Sequence, residues 1–274
     1  MKNTFKMMWV LMLGAGLFTM SSCTDDNEDP EPNGNGETTE TACYATKVVS
    51  TDEDGDDTYE YEYNADDQVV KSTNTYEGDS YVTVFEYKDG KLDKTIGDDT
   101  DVSQFIYENG GDIPSRINTT IDGEDAYFTV ITAENGNISK IENSYYDDNG
   151  DAVLEDVTTL TYENGVITRS LTETYDPEFD TFETEIDLQD IVLDGKKTPY
   201  NGQIAFAFED GFNILAILSS NVLSANIVSD DGDGGEIKIP YTSTFTYNDN
   251  DYPTEFNVSL FTFTTTTKVT YDCK

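Results

Sequence analysis

One short pattern recurs along this chain and limits what it can fold into: an apolar residue, a polar one, an aromatic, a tight polar turn and a return to apolar residues. Phe85-Glu86-Tyr87-Lys88-Asp89-Gly90-Lys91-Leu92 is its clearest form. Related forms are Tyr61-Glu62-Tyr63-Asn64 running to Val69, Phe105-Ile106-Tyr107-Glu108-Asn109-Gly110, Ile131-Thr132-Ala133-Glu134-Asn135-Gly136, Leu160-Thr161-Tyr162-Glu163-Asn164-Gly165 and Phe245-Thr246-Tyr247-Asn248-Asp249. Asn-Gly and Asp-Gly supply the positive-φ turn that matches strand twist, so each copy reads as a β-hairpin.

Between the turns lie segments of strand length. The spacing predicts strands over 44–50, 58–63, 68–75, 81–87, 92–96, 102–107, 115–121, 127–132, 138–144, 153–162, 166–175 and 181–188, and again over 236–247, 254–263 and 267–271. Alternation is clearest where Phe182, Thr184, Ile186 and Leu188 are interleaved with Glu183, Glu185 and Asp187. One dry face and one wet face mark an antiparallel sheet with a solvated side. Other strands carry Thr and acids on both faces, which suits a thin core or a curled sheet lined partly by polar groups. The expectation is an all-β fold, a many-stranded antiparallel meander forming a curled sheet or barrel-like body over residues 43–274. Only 204–223 is densely apolar. Leu215, Leu218 and Val222 fit helical spacing there, so one short helix near 211–220 is expected, covering the sheet or plugging its concave side.

The N-terminus reads differently. Lys2 and Lys6 precede an apolar run from Met7 to Phe18, too short to span a bilayer, and small residues follow. Residues 1–22 therefore read as a signal peptide. Ser21-Ser22-Cys23 resembles the lipobox of bacterial lipoproteins, although Met20 stands where Leu is usual. The resemblance implies that Cys23 is lipidated and becomes the mature N-terminus; the alternative is an ordinary cleaved signal that leaves Cys23 a free thiol. Residues 23–42 hold acids, two prolines and almost no apolar side chains, the composition of a disordered tether. The acidic cluster 25–29 resembles the export tract that sends some Gram-negative lipoproteins to the cell surface. An outer-membrane lipoprotein held by its anchor alone is the expectation.

Composition excludes more than it selects. Fifteen Lys and Arg stand against 56 Asp and Glu, a formal charge of −41. Nucleic acid needs a basic face, and anionic lipid head groups are refused for the same reason. The chain has no His, and its one Trp is Trp9 in the leader. Imidazole acid-base chemistry, Ser-His-Asp and Cys-His pairs and His-bound zinc are therefore excluded. Carboxylate chemistry and hard-cation binding survive. With Cys23 lipidated, Cys43 and Cys273 remain in an oxidising compartment and are expected to form a disulfide, the alternative being two buried thiols.

Four acidic loops have the oxygen density of a calcium site: 52–57, 98–101, 147–151 and 230–236, with Asp231, Asp233 and Glu236 as the best ligand set. None has EF-hand spacing, and Asp and Gly also dominate ordinary turns. No catalytic residues stand out, because any chosen carboxylate pair is uninformative among so many acids. A membrane-spanning barrel is not expected, since Glu, Asp and Lys interrupt both strand faces.

Phe245-Thr246-Tyr247-Asn248-Asp249-Asn250-Asp251-Tyr252-Pro253-Thr254, with Lys196-Lys197-Thr198-Pro199-Tyr200 and the Tyr-Glu-Asn-Gly hairpins before it, resembles an uncharacterised family of secreted lipoprotein domains with a porin-like fold. The resemblance covers most of 43–274 and implies a many-stranded meander; it carries over no site residues. The hairpins are also similar to the YD-type repeats of secreted toxins, but the spacing is irregular and the Gly-Arg partner is missing. Two functions follow as expectations. The first is a surface module presenting Tyr-rich sheet faces to a glycan or protein. The second is a hollow carrier of a small apolar ligand, with the segment near Ile214 as its lid. A carboxylate-based glycosidase ranks behind both, so no enzyme is expected.

Overall fold

The computed structural model describes residues 41–274 apart from 54, 98, 99, 109, 210 and 231–235. Sixteen strands form one closed antiparallel barrel. In chain order they are β1 (Cys43–Thr51), β2 (Asp56–Tyr63), β3 (Val69–Tyr76), β4 (Asp79–Lys88), β5 (Lys91–Ile96), β6 (Val102–Ile106), β7 (Arg116–Ile121) and β8 (Glu124–Glu134). They continue with β9 (Asn137–Tyr146), β10 (Ala152–Glu163), β11 (Val166–Asp176), β12 (Thr181–Leu193), β13 (Val222–Asp230), β14 (Glu236–Tyr247), β15 (Pro253–Leu260) and β16 (Phe263–Cys273). Every strand pairs with its neighbours in sequence, and β1 closes the ring on β16. The expected meander is thus a barrel rather than an open curled sheet. The predicted disulfide is present, Cys43 to Cys273, joining register partners across that seam.

Turn chemistry explains the meander. Asp89 and Gly90 sit at φ 53° and 80°, Asn164 and Gly165 at 52° and 80°. This left-handed pair is what a two-residue hairpin needs, and Asn, Asp and Gly adopt it at least cost. A second, five-residue turn occurs three times. Asn64 accepts backbone N–H bonds from Asp66 and Gln68, Asp147 from Asn149 and Asp151, and Asn248 from Asn250 and Tyr252. Four backbone and side-chain bonds hold the Asp147 carboxyl below the usual range, the N–H of Asp151 first among them. The acidic loop 147–151 is therefore built as a turn, with its leading carboxylate engaged by its own backbone.

Turns leading from odd to even strands lie at one end, the mouth; those from even to odd strands lie at the other, the base. At the base the repeated pattern acquires an irregularity invisible in its sequence. Register shifts fall between Glu62 and Tyr63, Glu86 and Tyr87, Thr132 and Ala133, Thr161 and Tyr162, and Thr246 and Tyr247. A bulge of this kind bends its strand and re-aims the side chain beside it. Here the extra residue sits on the returning strand and turns Val69, Leu92, Ile138 and Ile167 to the core, while plain alternation from Tyr61, Phe85 and Leu160 turns Tyr63, Tyr87 and Tyr162 the same way, where Tyr107 and Tyr271 also pack. Their hydroxyls tie neighbours together: Tyr63 donates to Ala45 O, Tyr162 to Ile138 O and Tyr271 to Pro253 O.

Sixteen strands enclose more space than wall side chains can fill, as porins of this strand number show by their channels. The connection between β12 and β13, residues 194–221, fills the base. It turns inward through α1 (Ile204–Ala207) and a 3-10 helix (Ile214–Ile217), burying Tyr200, Phe206, Phe208, Ile214, Leu215 and Leu218. The short helix expected near 211–220 is thus one 3-10 turn inside that span, preceded by a second turn further upstream. Val222, which fitted its helical spacing, opens β13. Asn213 begins the turn by accepting from Leu215 N, and Ser219-Ser220-Asn221 ends the apolar run, leaving too little chain for a longer helix. Gln203 anchors the plug to the wall, accepting from Val69 N and donating to Asp67 O.

The inner face changes character from base to mouth. Phe85, Leu92, Phe105, Ile117, Ile131, Ile141, Leu160 and Val269 pack around the plug. Next comes a buried belt of hydroxyls, Ser72, Thr95, Thr158, Ser170, Ser243, Thr265 and Thr267. Outward positions carry Thr, Lys and Glu, with cross-strand ion pairs such as Lys47–Glu60 at 2.8 Å and Lys71–Glu62 at 2.7 Å. Charges at these positions are costly against hydrocarbon.

Candidate functional site in the barrel mouth

Above the plug, the inner wall of β9 to β12 borders a cavity of about 240 Å³. Its wall is polar, from Asn143, Asp156, Thr158, Ser170, Thr172 and Glu185. Its floor is apolar, from Ile186, Leu188, Phe212 and Ile214. No Lys or Arg lines it. Alternation places most of these groups, with Thr158 facing Thr172, Leu160 facing Ser170 and Asp156 facing Asn143 in register, while Glu185 is the extra residue of a bulge on β12 and so joins Ile186 on the cavity side.

A hydrogen-bond chain orders the wall. Thr129 Oγ1 donates to Asn143 Oδ1 at 2.7 Å, which turns the Asn143 amide to donate to Asp156 Oδ1 at 2.9 Å. The Thr158 and Thr172 hydroxyls are 2.9 Å apart, and Thr174 donates to Glu185 at 3.0 Å. Burial pushes the Asp156 carboxyl up to about 6; the Asn143 bond opposes the shift, and Glu155 and Glu185 add to it. A carboxylate, an amide and several hydroxyls thus converge on one concave wall, able to accept from and donate to a hydroxyl-rich ligand.

Nearer the opening, the same alternation turns five tyrosines inward: Tyr59, Tyr76, Tyr81, Tyr127 and Tyr145. Tyr81 is 55% exposed and Tyr127 47%, so these rings remain accessible. The tyrosines singled out in the repeats are a different set. Tyr63, Tyr87, Tyr107 and Tyr162 line the inside of the base and pack on the core, and Tyr247 donates to Asp194 in the connection that fills it, so they form no stripe on the outer sheet face.

The other residues named from sequence fall elsewhere. Cys23 lies outside the described residues, as do Asp231 and Asp233. Glu236 opens β14 opposite Asp230. Among the described residues no three His, Cys, Asp or Glu side chains are grouped to hold a metal. Asn143, Asp156 and Glu185 were not singled out. The only sequence signal of Asn143 and Asp156 is a polar residue at an alternate, inward position, which 56 acids drown, and Glu185 alternates with Ile186 and Leu188 and so reads as outward.

No protein-family model matches the chain, and no curated protein is similar to it in sequence. Solved structures do resemble it. A porin-like protein from Bacteroides uniformis is 13% identical, with 83% of this chain and 96% of that one covered at a TM-score of 0.55. A porin-like protein from Bacteroides vulgatus is 14% identical, with 84% and 99% covered at 0.54. At these identities the likeness establishes a shared fold, in accord with the porin-like architecture expected from the Tyr-Pro and Tyr-Glu-Asn-Gly motifs.

Proposed function

We propose that this chain is an envelope lipoprotein whose barrel mouth binds a carbohydrate, and that its role is binding rather than catalysis. The cavity wall carries this reading. Sugars combine hydroxyls with apolar C–H faces, and Asn143, Asp156, Thr172 and Glu185 offer partners for the former while inward tyrosines offer ring faces for the latter. A concave mouth suits a slender chain better than a flat protein surface. In this reading Cys23 carries the lipid and residues 23–42 form the tether of an outer-membrane, surface-displayed protein. Because β1 begins at the base, the tether leaves from the plugged end and the mouth faces away from the anchoring membrane.

Titration calorimetry of the chain carrying Cys23→Ser, with neutral oligosaccharides, tests the reading. Binding that Asp156→Asn weakens tenfold or more is the expected result. Absence of heat with every sugar would reject it.

A second reading, a carrier of a small apolar ligand, is favoured by the floor residues Ile186, Leu188, Phe212 and Ile214. Native mass spectrometry after detergent-free purification separates the two. A carrier retains a lipid that is released on unfolding; the carbohydrate binder retains none.

A further inference from the structure

We propose that the ligand is an uncharged polysaccharide chain of several units, gripped by an aromatic rim outside the cavity as well as by the cavity itself. This inference rests on the carbohydrate reading above. The first observation is size. At about 240 Å³ the cavity lies below the roughly 300–1,000 Å³ of pockets that enclose a whole drug-sized ligand. A chain of several units must leave across the rim.

Four phenylalanines are exposed at the mouth end. Phe179 is 69% exposed, Phe261 65%, Phe182 48% and Phe263 47%. Phe179 lies in the β11–β12 turn and Phe182 at the start of β12, at the mouth end of the strands that carry Ser170, Thr172, Glu185 and Ile186 of the cavity wall. Phe261 lies in the β15–β16 turn and Phe263 opens β16, further round the same end. Exposed aromatic clusters mark a contact surface.

Phe261 also breaks the turn chemistry used elsewhere. Hairpin turns at Glu77-Gly78, Asp89-Gly90, Asp122-Gly123, Asn135-Gly136 and Asn164-Gly165 put an acidic or amide residue and then Gly at positive φ. The β15–β16 turn puts Phe261 at φ 55° with Thr262 after it. A bulky residue in this region is a genuine outlier. Here its strain holds a phenyl ring out into solvent.

Charge selects among occupants. Carboxylates stand among these rings, with Asp176, Glu178 and Asp180 beside Phe179, and Asp52 and Glu53 beside Phe263. They repel anionic lipid surfaces and uronic acid chains, whereas uncharged sugars can donate hydroxyls to them and lay C–H faces on the phenyl rings.

Calorimetry with neutral di- and hexasaccharides of the cello, malto, xylo and manno series, and with oligogalacturonates, provides the test. We expect at least one neutral hexasaccharide to bind ten times or more tighter than its disaccharide. Phe179→Ala/Phe261→Ala should abolish most of that gain, while Asp156→Asn weakens both lengths by one factor. Both rim positions are exposed, so folding of the double variant can be verified by an unchanged melting temperature.

Equal affinity for short and long chains, a gain that survives the double variant, or oligogalacturonates binding as tightly as neutral chains would overturn the rim proposal and leave the cavity reading intact. No binding of any saccharide would overturn both. Flotation with phosphatidylcholine vesicles that the double variant abolishes would assign the rim to lipid and overturn the proposal.

Discussion

Asp156 is the residue where burial and chemistry meet. Its folded pKa of about 6 lies above its unfolded value, so its contribution to stability is full below pH 4 and is lost as pH rises through about 6. Asp156→Asn keeps an oxygen for Asn143 and removes the titration. The variant should be about 1 kcal/mol more stable than wild type at pH 7 and level with it near pH 4, as urea melts at the two values would show. Asp187 poses the opposite case. It is buried on the outer face and held by both arms of Arg169 at 2.7 Å and by Gln189 at 2.6 Å. Arg169→Ala strands a buried carboxylate and should cost about 2–4 kcal/mol in the same assay. Neither residue was legible beforehand. In a chain this acidic, what distinguishes Asp156 and Asp187 is their surroundings, set by strands distant in sequence. Cys43 and Cys273 were legible because only three cysteines occur and one reads as a lipid site.

At the scale of elements, hairpins were the most readable objects, since each Asn-Gly or Asp-Gly dictates its own local geometry. The bulges on the strands that return past Tyr63, Tyr87, Tyr162 and Tyr247 were not readable. A bulge depends on how two strands meet, and its residues look like ordinary strand. The repeat tyrosines suggested a displayed face and line the base instead, because alternation says which residues share a face while closure decides which face is inside. The plug was half readable: its apolar density declared burial, and its helical spacing overstated the helix, because short segments packed on all sides need no regular period. Phe206 and Tyr200 sit at its centre, their rings 4.5 Å apart and both within about 6 Å of Tyr61. Phe206→Ala should cost about 3–5 kcal/mol, measured by denaturant unfolding. The β15–β16 turn predicts a change of the other sign. Phe261→Asn relieves a left-handed phenylalanine without removing a buried contact and should stabilise the fold by about 1 kcal/mol.

On the scale of the whole molecule, the all-β meander was legible and the closure was not, because no local signal says that β1 will meet β16. The seam joins residues 230 apart in sequence, and a cross-link over so long a loop stabilises by about 5 kcal/mol in the chain-entropy model. Cys43→Ser/Cys273→Ser should lower urea stability by up to that amount, and reductant should do the same to wild type while leaving the double variant unchanged. Every other strand pairing links sequence neighbours, so loop-closure entropy is concentrated at this one join. A ring of consecutive hairpins has no intrinsic first strand. A circular permutant cut at Asn135-Gly136, with residues 43 and 273 joined by a short linker, should build the same barrel, with the slow long-range step moved from the β1–β16 seam to the join of β8 with β9.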